Sequence, residues 1–198
     1  MKQYKTIVVD PPWPYKGGGP VGTGGRGKGF ERARPSCSSV SIYGSMSIEE
    51  LKRLRINEIA AERSHLYLWT TNSFILEAHE LLKAWGFTYK TMLTWTKVKD
   101  DGSPSSKTGY YFRSATEHVL FGVRGNMPLM VTEVVSNAML HRRLPHSVKP
   151  DAFYSMVEEV SMAPRLDVFG RRRRKGWDIF GSVHNDIDLN PDRTIVRG

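Results

Sequence analysis

The stretch Tyr4-Lys-Thr-Ile-Val-Val-Asp-Pro-Pro-Trp-Pro-Tyr15 contains a short apolar run that ends in a carboxylate and two prolines. The β-branched run Ile7–Val9 predicts a buried strand. This strand must stop at Asp10, because the prolines that follow cannot donate to a β-ladder. In an open α/β sheet, ligands bind at the carboxyl ends of the strands. The stretch therefore predicts a binding edge that carries a carboxylate, rigid backbone carbonyls and an indole.

These groups suit a flat heterocycle with an exocyclic amine. Asp10 can accept one amine proton and the carbonyl of Pro11 the other, while Trp13 or Tyr15 stacks on the ring. Accepting both protons localises the nitrogen lone pair and makes the amine a better nucleophile. The residues alone also allow a structural alternative, in which Asp10 caps a turn and Trp13 belongs to the core.

The composition favours a nucleic acid as partner. The chain has 198 residues, enough for one domain with a substantial core, and 29 Lys and Arg against 20 Asp and Glu give a net charge of +9. No stretch approaches the ~20 apolar residues of a membrane span. Cys37 is the single cysteine, which excludes an intramolecular disulfide and a multi-cysteine zinc site. With no secretory signal at the start of the sequence, we expect a cytoplasmic location.

Residues 16–42 are rich in glycine and cations and predict a long mobile loop beside the site. Gly22, Gly27 and Lys28 match part of a phosphate-binding P-loop. Gly29 stands where that motif requires Ser or Thr, so a basic loop that faces nucleic acid is the favoured interpretation.

Strand and helix patterns alternate along the chain and predict an α/β fold with a mostly parallel sheet. Ser47 and Glu50 form a capping-box pattern for one helix, and apolar spacing predicts two more, near residues 74–85 and 150–160. The later strands are predicted at residues 64–70, 87–97, 116–124, 129–135, 165–170 and 176–181. We expect a single domain over residues 1–183, followed by a polar, frayed tail over residues 184–198.

Four further features bear on chemistry. Asp167 precedes the glycine turn that ends its strand, which suits a ribose or amino-acid ligand, although a buried aspartate in an ordinary turn fits equally well. Arg171–Lys175 are five consecutive cations, and in so basic a chain phosphate contacts are favoured over a solvated loop. Trp95 with Lys97 could stack on and clamp a nucleotide, but the aromatic strand favours a half-core position for Trp95. His118 is interpreted as structural, with a buried partner in the adjacent glutamate.

The order and spacing of the blocks resemble the MTA-seventy-type adenine N-6 methyltransferase family, named after the catalytic subunit of the messenger-RNA adenosine methyltransferase. Asp10-Pro-Pro-Trp13 matches the catalytic motif of that family. The other matching blocks are Tyr43–Ser47, Leu66–Asn72, Ala84–Phe87, Leu93–Lys97, Glu117–Gly122, His146–Asp151, Arg165–Arg171 and Gly176–Asp178. The resemblance therefore covers nearly the whole chain.

The resemblance implies a Rossmann-like methyltransferase with permuted motif order that uses S-adenosyl-L-methionine and no metal. Its implied catalytic residues are Asp10, Pro11, Pro12 and Trp13, with Trp13 and Tyr43 bracketing the adenine. The implied cofactor-binding residues are His146, Lys149, Asp167, Phe169, Gly170, Arg171 and Ser182. The expected substrate-binding residues are Tyr15, Tyr43, Trp95, Lys97, Arg113, Arg142 and Arg143.

The chain departs from the family after the last strand, where Gly181-Ser-Val183 replaces the usual Gly-Asn-Glu or Gly-Asn-Gln. The favoured function is N-6 methylation of adenine in DNA, as in the compact phage and bacterial members. An RNA adenine N-6 methyltransferase and a non-catalytic nucleic-acid-binding subunit of a methyltransferase complex are the alternatives. Loops near residues 98–114 and 125–147 are the expected sequence readers, and both a monomer and a homodimer stay open.

Overall fold

The structure is a computed structural model that describes residues 2–15, 45–106, 111–131, 133–145, 148–181 and 186–189. The predictions for the basic loop 16–42 and for Tyr43, His146 and Ser182 lie outside the described residues.

Within these ranges, seven strands form one sheet in the order β5-β3-β4-β2-β1-β6-β7. Only β4 runs against its neighbours, so the predicted mostly parallel α/β sheet is confirmed. The strands are β1 (Tyr4–Val9), β2 (Ala60–Thr70), β3 (Thr88–Val98), β4 (Thr116–Arg124), β5 (Ala138–Arg142), β6 (Arg165–Val168) and β7 (Trp177–Phe180).

The helices flank this sheet and begin and end where local chemistry places them. The α-helices are α1 (Ile48–Arg53), α2 (Ile56–Ile59), α3 (Ile75–Ala84) and α4 (Asp151–Val160), and a 3-10 turn covers Asn72–Phe74. The predicted capping box of α1 is confirmed, since Ser47 accepts from the backbone of Glu50 and Glu50 accepts in return. Gly86 follows α3 with φ of 80°, a left-handed conformation that glycine adopts without steric cost. None of the described helices combines the length and apolar character that a membrane crossing requires.

Both faces of the sheet are buried, which explains the continuous apolar runs of its central strands. Ile7 and Val9 pack with α1 and α3 on one face, while Val8 between them packs with α4 on the other. Successive side chains of a strand point to opposite faces, so a strand covered on both sides is apolar throughout. The charged side chains of the candidate site lie at the ends of these strands.

Two segment predictions were wrong. The described residues within 129–135 form no strand, and the edge strand β5 lies downstream at Ala138–Arg142. The alternating exposure of β5 gives it a weak apolar pattern, whereas the apolar run before it is largely exposed. The tail is not frayed over residues 186–189, because Leu189 is fully buried and Asp186 bonds both backbone groups of Ile179. This segment covers the outer edge of β7.

Candidate active site

One edge of the sheet collects the polar residues of the site. Six strands run in one direction, so their carboxyl ends meet at this edge, and the antiparallel β4 begins there. Asp10 follows β1, and its backbone N–H donates to the carbonyl of Val168 at the end of β6, with N and O 3.2 Å apart. Lys97 ends β3 while Glu117 begins β4 beside it. Parallel topology thus brings together residues that are far apart in sequence.

The Asp10-Pro-Pro-Trp motif is held rigidly by backbone hydrogen bonds. The carbonyl of Pro11 accepts from the N–H of Trp13 at 2.9 Å, and that of Pro12 accepts from the N–H of Met46 at 3.0 Å. A carbonyl oxygen has two lone pairs, so the Pro11 oxygen can still accept one further donor. This is the acceptor that the sequence places beside the Asp10 carboxylate.

Trp13 lies in the core, so the structural alternative describes this residue better than the predicted open stacking face. Its side chain is 6% exposed, and its indole N–H donates to the carbonyl of Trp69 at 3.2 Å. The Trp13 ring stacks on that of Phe74, with centroids 5.1 Å apart. Trp13 therefore anchors the motif to the end of β2.

Four side chains of alternating charge form a partly buried chain along the site. The Lys149 ammonium lies 3.1 Å from an Asp10 carboxylate oxygen and 3.0 Å from Glu117. Lys97 bonds the other oxygen of Glu117. The order Lys97–Glu117–Lys149–Asp10 balances two cations against two carboxylates in a place that water reaches poorly. Charges of one sign could not be buried there without a large desolvation cost.

The charge chain sets the protonation of its members. Burial raises the pKa of Asp10 above its usual range, although Lys149 opposes the shift. Burial alone would lower the pKa of Lys149, but Asp10 and Glu117 outweigh it and keep the ammonium charged. Burial would likewise raise the pKa of Glu117, yet the two lysines hold it below normal. These shifts favour an ionised Glu117 and a charged Lys149 facing Asp10.

Two buried tryptophans form the floor under these cations. The Lys149 ammonium lies 4.8 Å from the centre of the Trp69 ring, and that of Lys97 lies 4.8 Å from the Trp95 ring. Both contacts are cation–π interactions. Trp95 is buried and donates its indole N–H to the carbonyl of His141, so the half-core prediction is nearer to the structure than nucleotide stacking.

A cleft of about 430 Å³ opens above this floor. Tyr15 stands at its wall, half exposed, with its hydroxyl 2.8 Å from that of Thr71. Arg143 lines the cleft as well and donates to the backbone carbonyl of Ser105. The described residues that line the cleft are Tyr15, Thr71, Asn72, Ser73, Trp95, Lys97, Ser114, Glu117, Arg143, Leu144, Pro145, Val148 and Lys149.

His118 has the structural role predicted for it, but its partner is Asn72 rather than the adjacent glutamate. The ring Nε2 lies 2.6 Å from the Asn72 side-chain oxygen, and Nδ1 lies 3.1 Å from the Thr94 hydroxyl. Burial lowers the pKa of His118, which favours the neutral ring. Nε2–H then donates to Asn72 and Nδ1 accepts from Thr94. This arrangement fixes Asn72 by its oxygen and leaves its amide N–H groups as donors at the cleft.

Asp167 is a second buried carboxylate near Asp10. One oxygen accepts from the Tyr154 hydroxyl at 3.1 Å, and the other, Oδ1, has no donor among the described residues. Burial is the main cause that raises the pKa of Asp167 to about 7, and the charge of Asp10 adds to it. Gly170 lies against this group, since a Cβ there would be 2.7 Å from the other carboxylate oxygen, Oδ2. The described residues therefore leave one buried carboxylate oxygen as an unused acceptor.

The basic residues predicted to touch a ligand are not all near the cleft. Arg142 pairs with Asp100 at the surface, at 3.0 Å with both side chains exposed. Within the run of five cations, Arg172 and Arg174 both bond Asp151, and Arg173 bonds Asp186. Arg174 also covers the Tyr154 ring at 3.6 Å. Three of the five cations therefore stabilise the chain itself, which weakens the phosphate-contact interpretation of the run.

Sequence reasoning missed Glu117 and Asn72 as site residues. The only sequence signal for Glu117 is that a charged residue stands at the start of an apolar strand. That signal is interpreted as a partner for the structural residue His118 and not as part of a site. The strand pairing of Glu117 with Trp95 places it between two lysines, which cannot be deduced without the sheet order. Among the described residues, no group of three or more His, Cys, Asp or Glu side chains is placed to hold a metal ion.

Comparisons with known proteins identify relatives of this chain. The family model MT-A70 matches residues 4–183. The chain is 31% identical over 190 residues to the Type II methyltransferase M.MunI of a Mycoplasma species, covering 91% of this chain and 77% of that protein. It is 28% identical over 160 residues to the human N(6)-adenosine-methyltransferase catalytic subunit METTL3, covering 78% of this chain but only 27% of the relative. A rice protein described as a probable N(6)-adenosine-methyltransferase MT-A70-like is 25% identical over 194 residues, covering 96% of this chain and 24% of that protein.

The chain thus spans most of the Mycoplasma relative and about a quarter of the human and rice relatives. The family model covers the charge chain, the cleft and both strand ends that carry the buried carboxylates. The chain belongs to the MT-A70 family of methyltransferases.

Proposed function

We propose that this protein transfers a methyl group from S-adenosyl-L-methionine to the N-6 amine of adenine in DNA. The observation that carries the proposal is the Asp10 carboxylate at the end of a central strand, followed in the chain by the Pro11 carbonyl as a second acceptor for an amine. The cleft of about 430 Å³, which is lined by the Lys149 that contacts Asp10, is large enough for a purine ring. DNA is favoured because the match to the type II methyltransferase extends over 77% of that protein, against about a quarter of the N(6)-adenosine-methyltransferases.

The residues near Asp167 fit S-adenosyl-L-methionine. The unused Asp167 oxygen is a buried acceptor that needs a donor, and the cofactor offers hydroxyl and ammonium groups. Gly170 lets the chain pack closely against this carboxylate, since a Cβ there would collide with it. When bound, the cofactor supplies a methyl group on a positively charged sulfur, which an amine can displace. Two carboxylates, Asp10 and Asp167, suit a ligand that carries positive charge.

Asp10 and Pro11 would prepare the amine for the reaction. Lys149 already engages one Asp10 oxygen, so the second oxygen is the acceptor for one amine proton. The Pro11 carbonyl accepts the other proton on its remaining lone pair. Both bonds pull the nitrogen lone pair out of conjugation with the ring and direct it at the methyl group. As nitrogen gains the methyl it must lose a proton, and Asp10 is the carboxylate placed to accept it.

Lys149 and Glu117 would keep this acceptor in place. The Lys149 ammonium stands between two carboxylates and is held over Trp69, so its position is fixed from three sides. Asn72, fixed in turn by His118, offers amide donors to the ring nitrogens of the base. Tyr15 provides a half-exposed aromatic face at the cleft wall. A base in a duplex would have to leave the stack to reach these groups.

An RNA substrate is the second candidate, supported by the similarity to proteins described as N(6)-adenosine-methyltransferases. A non-catalytic, nucleic-acid-binding role is supported by Ser182-Val183, where the family has longer polar side chains. The intact motif and the balanced charge chain favour catalysis over that role.

The test is a methyl-transfer assay with the purified protein and S-adenosyl-L-methionine labelled in the methyl group. Duplex DNA, single-stranded DNA and RNA of random sequence are supplied separately, and the digested nucleosides are separated. We expect label in N-6-methyladenine from DNA. Label in N-6-methyladenine from RNA alone would mean that RNA is the substrate in place of DNA. No label from any of the three nucleic acids would contradict the proposed methyl transfer.

A further inference from the structure

Tyr111 and Phe112 are two adjacent aromatic side chains that are almost entirely exposed. The exposed fractions are 87% for Tyr111 and 92% for Phe112, well above those of other large apolar side chains near the cleft. Leaving this much aromatic surface in contact with water is less favourable in free energy than burying it. Exposed apolar surface of this kind marks a contact with a partner.

Chain connectivity keeps this pair close to the cleft. Ser114, two residues after Phe112, lines the cleft. The carbonyl of Ala115 accepts from the backbone N–H of Lys97 at 2.8 Å, and Thr116 pairs with Thr96 on the neighbouring strand. Chain geometry then keeps the Cα of Phe112 within about 7 Å of that of Ser114. An aromatic side chain is long enough to span this distance to the cleft.

Charge indicates what kind of partner meets these rings. Arg113 is exposed beside them, Arg143 and Lys97 line the same cleft, and the chain carries a net charge of +9. A partner that is both negatively charged and rich in flat apolar faces fits this combination of cations and aromatic rings. Nucleic acid has both properties, since its phosphates attract cations and its bases stack on aromatic side chains.

We infer that Tyr111 and Phe112 stack on the bases next to the target adenine and hold the nucleic acid while that adenine occupies the cleft. The inference rests on the proposed function and adds to it the surface that receives the neighbouring nucleotides. A base that leaves its stack exposes the faces of its neighbours, and apolar side chains commonly fill such gaps. Arg113 would contact the adjoining phosphate.

The experiment compares Phe112→Ala, Tyr111→Ala and Phe112→Trp with the wild-type protein. Loss of one base–aromatic stack weakens binding by roughly 5- to 150-fold, so we expect kcat/KM for the nucleic acid to fall within that range in both alanine variants. Phe112→Trp keeps a stacking face and should stay within about threefold of the wild type. The Kd for S-adenosyl-L-methionine should be unchanged in all three. Leu76→Ala, which removes another largely exposed apolar side chain on α3, is the matched control.

Direct binding of fluorescent oligonucleotides is measured in parallel, so that the result does not depend on catalysis. A wild-type protein that methylates nothing contradicts the proposed function, yet weaker oligonucleotide binding by Phe112→Ala would still support this inference. Alanine variants that bind and methylate as well as wild type would overturn it. It would also be overturned if the substitutions convert a dimer to a monomer in sedimentation, since the pair would then be a protein interface.

Discussion

Lys149 keeps its charge in a place where only 12% of its side chain is exposed. Burial by itself would favour the neutral amine, but carboxylates on two sides and the face of Trp69 reverse that preference. The lysine is therefore a fixed positive point charge beside Asp10. Its position depends on Glu117 as much as on Asp10, so the site is a unit of at least three residues.

Replacing Glu117 by glutamine tests that dependence. The amide keeps the shape of the side chain but removes one of the two carboxylates that hold Lys149. Lys149 would then pair fully with Asp10 and compete with the amine for its oxygens, so we expect kcat to fall by about 10- to 100-fold. Glu133→Gln, at an exposed glutamate outside the cleft, is the control and should behave like the wild type. Unchanged methyl transfer by Glu117→Gln would show that Lys149 needs only Asp10.

The raised pKa of Asp167 predicts that the free energy of unfolding depends on pH. Burial, with the nearby charge of Asp10, raises its pKa from 3.8 to about 7 against the opposing effects of Tyr154, Arg174 and Lys149. Between pH 4 and 7 the folded state holds a proton that the unfolded state has released, so the free energy of unfolding falls as pH rises. Asp167→Asn removes this cost, which is at most about 4 kcal/mol at pH 8 because one pKa unit corresponds to ~1.4 kcal/mol.

Urea unfolding at pH 4.5 and pH 8 measures this difference. We expect the stability of Asp167→Asn relative to the wild type to increase between the two pH values. Asp100→Asn, at an exposed aspartate, should show no such change. A relative stability that is the same at both pH values would contradict the raised pKa of Asp167.

At the scale of elements, prediction from sequence succeeds where burial imposes a pattern and fails where it does not. Strand β1 and helix α3 follow from their apolar spacing, since each has a buried face that the residues reveal. The edge strand β5 is half exposed, so its sequence pattern is typical of a loop. The exposed apolar residues before it have the pattern of a strand. Local chemistry is decisive for caps and turns, and tertiary pairing is decisive for edges.

The candidate site divides in the same way. Asp10 is predictable because the strand, the carboxylate and the prolines are consecutive in sequence. The link from Lys97 through Glu117 to Lys149 depends on the order of strands and on the segment before α4, which no local pattern encodes. Asn72, in the 3-10 turn after β2, is held by a hydrogen bond with His118 on β4. Trp13 and Trp95 resemble stacking residues in sequence but fill the core in the fold.

The segment of residues 186–189 is the element whose structure differs most from its predicted behaviour. Leu189 is fully buried, and the carbonyl of that residue accepts from the backbone N–H of Arg55. Leu189→Ala should lower the free energy of unfolding by about 2–5 kcal/mol, as for other buried leucines. The exposed Leu76 provides the matched control, where Leu76→Ala should change it by less than about 0.5 kcal/mol. Equal effects at both positions, measured by urea unfolding, would mean that the tail is not docked.

At the scale of the whole molecule, catalysis and affinity have separate origins. A net charge of +9 acts on a polyanion from many positions, whereas the chemistry depends on one carboxylate at the end of β1. Removing that carboxylate should leave nucleic-acid binding nearly intact. Three of the cations in the run Arg171–Lys175 are used within the chain, so the affinity does not reside in that run alone.

The most direct measurement is the rate of methyl transfer by Asp10→Asn at saturating S-adenosyl-L-methionine, together with its affinity for the same oligonucleotide. The amide preserves the shape of the side chain, and its oxygen can still accept from Lys149. Its nitrogen, however, carries only donors, so it cannot accept a proton of the target amine. We expect the rate to fall by about 100-fold or more, with oligonucleotide affinity within about threefold of the wild type. A variant that methylates at the wild-type rate would contradict the role of Asp10 and, with it, the proposed mechanism.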